Sequence, residues 1–294
     1  MAPQATEVAL STQIFEFEGL QITYDYGGTG SPIIFLHNLG GDRSIWAEQV
    51  NALKTTNSVY ALDWIGFGDS TLPDAGYTID TYLRLLSNFI DFHELRHVTL
   101  VGNCFGSAMS LLYANQSPNN VHALVLINPL TGATFAPTTA GWAAQLLRRF
   151  PLLRGLLLRP IAASLQLPGP IAEMMVRGQL GRGGGELPVG AIAGLRGRWT
   201  EPRRLLPLAE ILSELPNLAV LDKLEPDALF PPITTIWGLR NRILSTVAGE
   251  TLNSTLKPRR AIFLPTAGHL PMIEDPESVT EQIRFAANDV GSRL

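Results

Sequence analysis

Short apolar runs alternate with helix-like segments along most of this chain, and that alternation restricts the fold more than any other feature. Strands are predicted at residues 13–17, 21–26, 33–36, 59–62, 98–101, 123–127, 234–237 and 260–264. Several of these runs are aliphatic or β-branched throughout, which is typical of strands covered on both faces of a parallel sheet. A helix is predicted at residues 82–92, where apolar residues recur near the 3.6-residue period. Further helices are predicted at residues 107–114, directly after a strand, and at residues 276–288.

The alternation stops after residue 130 and resumes near residue 226. Between these points the chain is rich in Leu, Arg, Gly and Pro. The pattern predicts an α/β fold with a doubly wound, mostly parallel sheet and one inserted helical cap. We expect a core domain at residues 1–130 and 226–294 and a cap at residues 131–225.

Composition and charge exclude several classes of protein. Hydrophobic residues make up 46% of the 294 and charged residues 16%, so the chain is not of the disordered class. The net charge of −4 does not favour nucleic-acid binding. The charge is uneven, because residues 142–224 carry a net +5 and the remainder −9. A single cysteine permits no intramolecular disulfide, and with scattered histidines it makes no metal cluster.

The location of the protein is expected to be cytoplasmic. The longest apolar stretch, residues 151–167, is interrupted by prolines and arginines and is not expected to span a membrane. Residues 1–12 show no basic segment followed by an apolar run, so no signal peptide is expected. Membrane contact and nucleic acid are not expected as partners. We expect a monomer or a homodimer.

The most informative motif is Gly102-Asn103-Cys104-Phe105-Gly106, which follows a predicted strand and precedes a predicted helix. A strand–turn–helix with G-x-C-x-G is typical of a nucleophile elbow, in which a strained turn holds the central side chain clear of the sheet. A lone cysteine is usually a packing residue, so the context carries this interpretation.

Four further motifs stand in order around it. They are His37-Asn38-Leu39-Gly40-Gly41, residues 63–70 (DWIGFGDS), residues 237–243 (WGLRNRI) and Gly268-His269. Together the five segments resemble those of the α/β-hydrolase superfamily, and of its capped members in particular. The resemblance implies that fold, no cofactor, Cys104 as nucleophile and His269 as general base. It also implies an oxyanion hole formed by the backbone N–H groups of Leu39 and Phe105.

Two positions depart from the family pattern. Asn38 stands where glycine is usual, and Asn241 stands where the family places the carboxylate that orients the histidine. An amide can hold the ring in one tautomer but supplies no negative charge. A cysteine nucleophile depends less on that charge, and Cys–His–Asn is the arrangement of papain-like proteases. The catalytic triad is therefore predicted to be Cys104, His269 and Asn241.

The sequence offers other candidates for the missing acid and for contacts to substrate. Asp227, Glu274 and Asp275 are nearby carboxylates, and Asn128 occupies an alternative acid position of the family. Asn38, Asn103 and Trp142 are candidate substrate-binding residues. Four arginines (Arg148, Arg149, Arg203 and Arg204) could attract an anionic or carrier-linked substrate, including one linked to CoA, although such charges more often form a solvated face.

Three functions remain open. The first is hydrolysis or acyl transfer on an ester, thioester or lactone with a hydrophobic part. The second is a non-hydrolytic elimination, cyclisation or lyase reaction of a biosynthetic pathway, in which Cys104 and His269 would handle protons. The third is a ligand-binding protein that keeps the fold without turnover.

Overall fold

The sheet contains all eight predicted strands. A computed structural model describes residues 9–181, 189–227 and 229–288. The strands are β1 (Ser11–Phe17), β2 (Leu20–Gly27), β3 (Pro32–Leu36), β4 (Ser58–Leu62), β5 (Val98–Asn103), β6 (Val121–Ile127), β7 (Ile233–Gly238) and β8 (Arg260–Leu264). They lie in the order β1-β2-β4-β3-β5-β6-β7-β8. The predicted fold class is therefore confirmed.

The helices of the described residues fall between and after these strands. They are α1 (Ala47–Leu53), α2 (Ile79–Phe92), α3 (Phe105–Gln116), α4 (Gly132–Phe135), α5 (Thr139–Arg149), α6 (Pro151–Leu153), α7 (Arg159–Ser164), α8 (Gly169–Gly178), α9 (Val189–Trp199), α10 (Leu206–Leu212), α11 (Thr246–Leu256), α12 (Pro271–Glu274) and α13 (Pro276–Asn288). Short 3-10 segments lie at Arg43–Trp46, Pro118–Asn120 and Leu215–Lys223, and a π-helical turn at Arg154–Leu158.

Strand direction places the carboxyl ends of the central strands at one edge. β1 and β4 run antiparallel to β2, whereas β4, β3, β5, β6, β7 and β8 are mutually parallel. In open α/β sheets, ligands bind outside the carboxyl ends of the strands. The loops after β3, β5, β7 and β8 therefore converge where a site is expected.

Alternation along the central strands builds a core on each face of the sheet. Ile34, Leu36 and Leu100 join one hydrophobic cluster with α2 and α3. Ile33, Phe35 and Val101 join a second cluster with α1 and α13. Successive strand residues point to opposite faces, so an unbroken apolar run fills both cores. This explains why β5 and β7 are buried throughout.

The helices α4 to α10 lie between β6 and β7, at the single interruption of the alternation. We call them the inserted helices. The predicted boundaries of the cap at residues 131–225 stay a prediction. In the described part of the chain, the helices are all too short or too polar to cross a bilayer.

Candidate active site

Cys104 lies in the turn between β5 and α3 with φ +52° and ψ −106°. This left-handed region is rarely adopted by residues with a side chain, and such strain clusters at functional sites. The backbone fixes the turn, because Cys104 N–H donates to the Ile127 oxygen at 2.9 Å and its oxygen accepts from Ala108 N–H at 3.1 Å. The cysteine is thus held in the conformation expected of a nucleophile elbow.

The two elbow glycines are required by close backbone contact. A Cβ at Gly102 would lie 2.3 Å from the Gly106 carbonyl carbon, and one at Gly106 would lie 2.1 Å from the Leu36 oxygen. Neither space can be opened without moving backbone. The G-x-C-x-G spacing therefore lets α3 approach the ends of β3 and β5.

His269 follows β8, and its backbone is held from two sides. Its N–H donates to the Gln179 oxygen at 2.6 Å. Its oxygen accepts from the side-chain amides of Asn103 at 3.2 Å and Asn128 at 3.3 Å. The side-chain Oδ1 of Asn128 in turn accepts from Gly238 N–H. An amide suits position 128, because it donates to carbonyl oxygens that a carboxylate would repel.

The ring of His269 faces Asn241. Nδ1 lies 3.2 Å from the Asn241 Oδ1, which also accepts from Ile243 N–H at 2.8 Å and Leu244 N–H at 3.2 Å. Since Oδ1 only accepts, the proton of the neutral ring is on Nδ1, and Nε2 is left as the base. The Asn241 Nδ2 is buried, and among the described residues it has no hydrogen-bond partner.

Burial favours the neutral forms of both the Cys104 thiol and the His269 imidazole. It raises the pKa of the Cys104 thiol to about 12, opposed by a hydrogen bond from Phe105 N–H. It lowers the pKa of His269 to about 3. Desolvation disfavours the charged form in each case. The resting pair is therefore a thiol and a neutral imidazole.

The loop after β3 is anchored through His37. Its Nε2 accepts from Trp64 N–H at 3.0 Å, and its Nδ1 bonds the Asn38 oxygen at 2.8 Å. Burial lowers the pKa of His37 to about 4, so the ring is neutral at pH 7. Its two hydrogen bonds hold the loop in place. Among the described residues, no acceptor is bound to Leu39 N–H, and Leu39 lines the same space as Cys104.

A cavity of about 400 Å³ brings Cys104, His269 and Leu39 together. Its other lining residues are Leu130, Phe135, Ala140, Met175, Gly178, Gln179, Trp199, Leu208, Leu212, Leu215, Ile243 and Leu244. The inserted helices and the segment that follows them supply most of these. No charged side chain of the described residues lines this cavity. It suits an apolar group next to the thiol.

The three candidate substrate-binding residues lie outside this lining. Asn38 is 2% exposed and bonds the Leu39 oxygen and Gln179. Asn103 is buried and braces the His269 backbone. Trp142 is 74% exposed on α5. Two of the three therefore support the loops around the cavity, and Trp142 faces outward.

The alternative carboxylates are engaged in backbone bonds. Asp227 caps its own turn through Leu229 N–H, and Asp275 accepts from Ser278 N–H. Glu274 accepts from the N–H groups of Gly268 and Gly181, each at 2.7 Å. The ring of His269 thus has Asn241 as its side-chain partner.

Two contributors to the site have no motif in the sequence. Gln179 follows α8 and supplies both the carbonyl oxygen bound by His269 and a polar side chain in the cavity. Trp199 ends α9 and covers the loop after β3 so closely that a Cβ at Gly40 would lie 2.4 Å from its ring. Both come from the inserted helices, whose pairing with the core has no periodic signal.

Known proteins similar to this chain agree with the fold. Residues 31–168 match the family model described as the alpha/beta hydrolase fold. A bacterial membrane phospholipase A of known structure superposes with a TM-score of 0.76 at 24% identity, covering 94% of this chain and 85% of that one.

Two curated relatives are similar over part of the chain. A haloalkane dehalogenase of Agrobacterium fabrum is 35% identical over 112 residues, 38% of this chain and 37% of that protein. A 2-hydroxy-6-oxo-2,4-heptadienoate hydrolase of Pseudomonas putida is 32% identical over 124 residues, 41% of this chain and 45% of that protein. The chain thus spans less than half the length of these relatives.

Proposed function

Because the chain has the α/β-hydrolase fold and brings a cysteine and a histidine to one cavity, we propose that it is a hydrolase that acts through Cys104. The substrate is an ester, thioester or lactone with an apolar acyl part. The observation that carries the proposal is that Cys104, with its strained backbone, lines the same cavity as His269, whose Nδ1 faces the Asn241 oxygen.

The first step is attack by sulfur on the carbonyl carbon. As the S–C bond forms, His269 Nε2 takes the thiol proton and the carbonyl electrons move to oxygen. The N–H groups of Leu39 and Phe105 stabilise this oxyanion. Collapse of the intermediate breaks the bond to the leaving group, which receives the proton from the imidazolium. The product is an acyl-cysteine.

Water completes the cycle. His269 removes a proton from a water molecule as the water oxygen attacks the acyl-cysteine carbonyl carbon. The second intermediate expels the thiolate, which regains the proton, and a carboxylic acid is released. In each step the imidazolium faces the dipole of the Asn241 side-chain oxygen and no negative charge. A thiol nucleophile tolerates this weaker support better than an alcohol does, since the thiol is the stronger acid.

The cavity supports an acyl group of moderate size. Its volume of about 400 Å³ and apolar lining favour a hydrocarbon chain or ring over a polar group. The inserted helices, which we propose as a cap, exclude water from the acyl-cysteine. Limited water would also allow another acceptor to take the acyl group.

The experiment compares hexanoyl esters, thioesters and lactones as substrates for the native enzyme, Cys104→Ala and Cys104→Ser. We expect Cys104→Ala to abolish turnover. We expect Cys104→Ser to lose at least about 10²-fold, because a Ser–His pair without its carboxylate loses about 10⁴ in serine proteases. Native-level activity of Cys104→Ala would overturn the proposal.

Elimination or lyase chemistry is the second candidate, favoured by the neutral thiol, which can donate a proton. Product analysis separates the two. Incorporation of ¹⁸O from water into a released carboxylate supports hydrolysis. A product with a new double bond or ring and no ¹⁸O would favour the second candidate.

A further inference from the structure

A basic groove lies beside the catalytic cavity. Its volume is about 630 Å³, and its lining includes Arg177, Arg196 and Arg242 against one carboxylate, Glu173. The described lining thus carries three positive charges and one negative charge. The described residues that line the cavity itself carry no charge. The two spaces differ sharply in the chemistry that they accept.

One carboxylate gathers two of the arginines. Glu173 Oε1 accepts from Arg177 Nε at 2.9 Å, and its Oε2 lies 3.3 Å from Arg196 Nη1. The pKa of Glu173 is lowered by its bonds with Arg177 and Arg196. A guanidinium has five N–H donors, so Arg196 keeps donors beyond the one that faces Glu173. The arrangement holds α8 and α9 together and presents positive charge to the groove.

Arg242 contributes from the core side. It follows Asn241 in the loop after β7, and in the described part of the chain it has no ion-pair partner. The groove is therefore formed jointly by the inserted helices and by the loop that carries the third triad residue. A ligand there would contact both parts.

The groove and the cavity share a wall. Gly178 lines both spaces. On α8, Met174 lines the groove and Met175 the cavity, and after β7, Arg242 lines the groove and Ile243 the cavity. At both places, neighbouring residues face the two spaces. The groove therefore adjoins the cavity, on the other side of α8 and of the loop after β7.

We propose that this groove binds the anionic portion of the substrate, a phosphate or carboxylate group carried on the leaving side of the acyl bond. The inference rests on the proposed function in placing the acyl part at Cys104. Guanidinium groups match the geometry of both anions. The four arginines singled out from sequence are placed elsewhere: Arg203 and Arg204 pair with Asp74 and Glu201, and Arg148 and Arg149 are exposed on α5.

Calorimetric binding to Cys104→Ala tests the groove without turnover. Three thioether probes share a hexyl chain: S-hexyl-CoA carries phosphates, S-hexyl-glutathione carries carboxylates, and S-hexyl-N-acetylcysteamine is neutral. Arg242→Gln and Arg196→Gln are added singly, with Arg148→Gln as the matched control outside the groove.

We expect Arg242→Gln and Arg196→Gln each to weaken binding of an anionic probe about tenfold, with the neutral probe unchanged and Arg148→Gln without effect. Higher salt should reduce the difference between probes. The probe that responds identifies phosphate or carboxylate. Equal effects on all three probes, or none, would overturn the proposal. Charge-selective binding by a protein that turns over no acyl substrate would support the groove while refuting the hydrolase.

Discussion

Asn241 Oδ1 lies 3.2 Å from His269 Nδ1 and also accepts two backbone N–H groups, from Ile243 and Leu244. One amide oxygen therefore meets three donors, which is the acceptor role that a carboxylate oxygen would fill. The buried Nδ2 finds no hydrogen-bond partner in the part of the chain that the structure describes. The amide orients the ring without placing negative charge beside it.

Replacement of Asn241 by aspartate should change kcat/KM by less than about tenfold, because orientation is already supplied. Asn241→Ala should lose about 10²-fold or more, since ring and loop both lose their acceptor. Steady-state kinetics on a hexanoyl thioester measure both, with exposed Asn217→Asp as the matched charge control. A gain of several orders of magnitude in the kcat/KM of Asn241→Asp would mean that the amide impairs catalysis and is not an adaptation to the cysteine.

Alkylation of Cys104 should be slow at neutral pH and should accelerate with pH. Burial raises the thiol pKa to about 12, so the reactive thiolate is scarce at pH 7, and its fraction grows about tenfold per pH unit. Because the chain has one cysteine, intact mass after iodoacetamide reports this site alone. A fast rate that is constant from pH 5 to pH 8 would instead reveal a preformed thiolate–imidazolium pair.

Glu274 should position the histidine loop. Its two oxygens bind Gly268 N–H and Gly181 N–H, which joins the residue before His269 to the end of the segment after α8. Glu274→Gln leaves one acceptor and turns an N–H₂ group toward a donor. We expect a loss of about 2 kcal/mol in the free energy of unfolding and a lower kcat.

Urea unfolding and kinetics check this, with exposed Glu281→Gln as the control. If Glu274→Gln and Glu281→Gln have the same stability and the same kcat, the two hydrogen bonds of Glu274 do not hold the histidine loop.

Gly102→Ala should be destabilising by at least about 3 kcal/mol, since a Cβ would meet the Gly106 backbone. Gly194→Ala in α9 has open space at its Cβ and should be neutral, or stabilising by up to about 1 kcal/mol. Urea midpoints compare the two. A folded Gly102→Ala with native stability would show that the elbow has room to relax.

Local patterns predicted the sheet, and they indicated the cysteine and the histidine that the structure brings to one cavity. The strand, turn and helix around Cys104 are contiguous in sequence, and His269 lies in the loop that follows β8, so motif order alone indicated that both residues lie at the same edge of the sheet. The predicted helix at residues 107–114 begins earlier, at Phe105, because the elbow itself starts the helix.

Side-chain directions and long-range contacts could not be predicted from the sequence. Asn38 neighbours Leu39, yet its amide turns toward the Leu39 oxygen and Gln179. Gln179 reaches His269 across 90 residues of chain, through the packing of the inserted helices on the core. No spacing rule links these segments, so the groove arginines and Gln179 emerge only from the structure.

Rapid-quench intact mass on the native enzyme and a hexanoyl thioester tests the central claim most directly. The account predicts one acyl group on Cys104, formed at least as fast as kcat, decaying with turnover, and absent in Cys104→Ala. Turnover without any covalent adduct, or an adduct that does not decay at the rate of turnover, would contradict it.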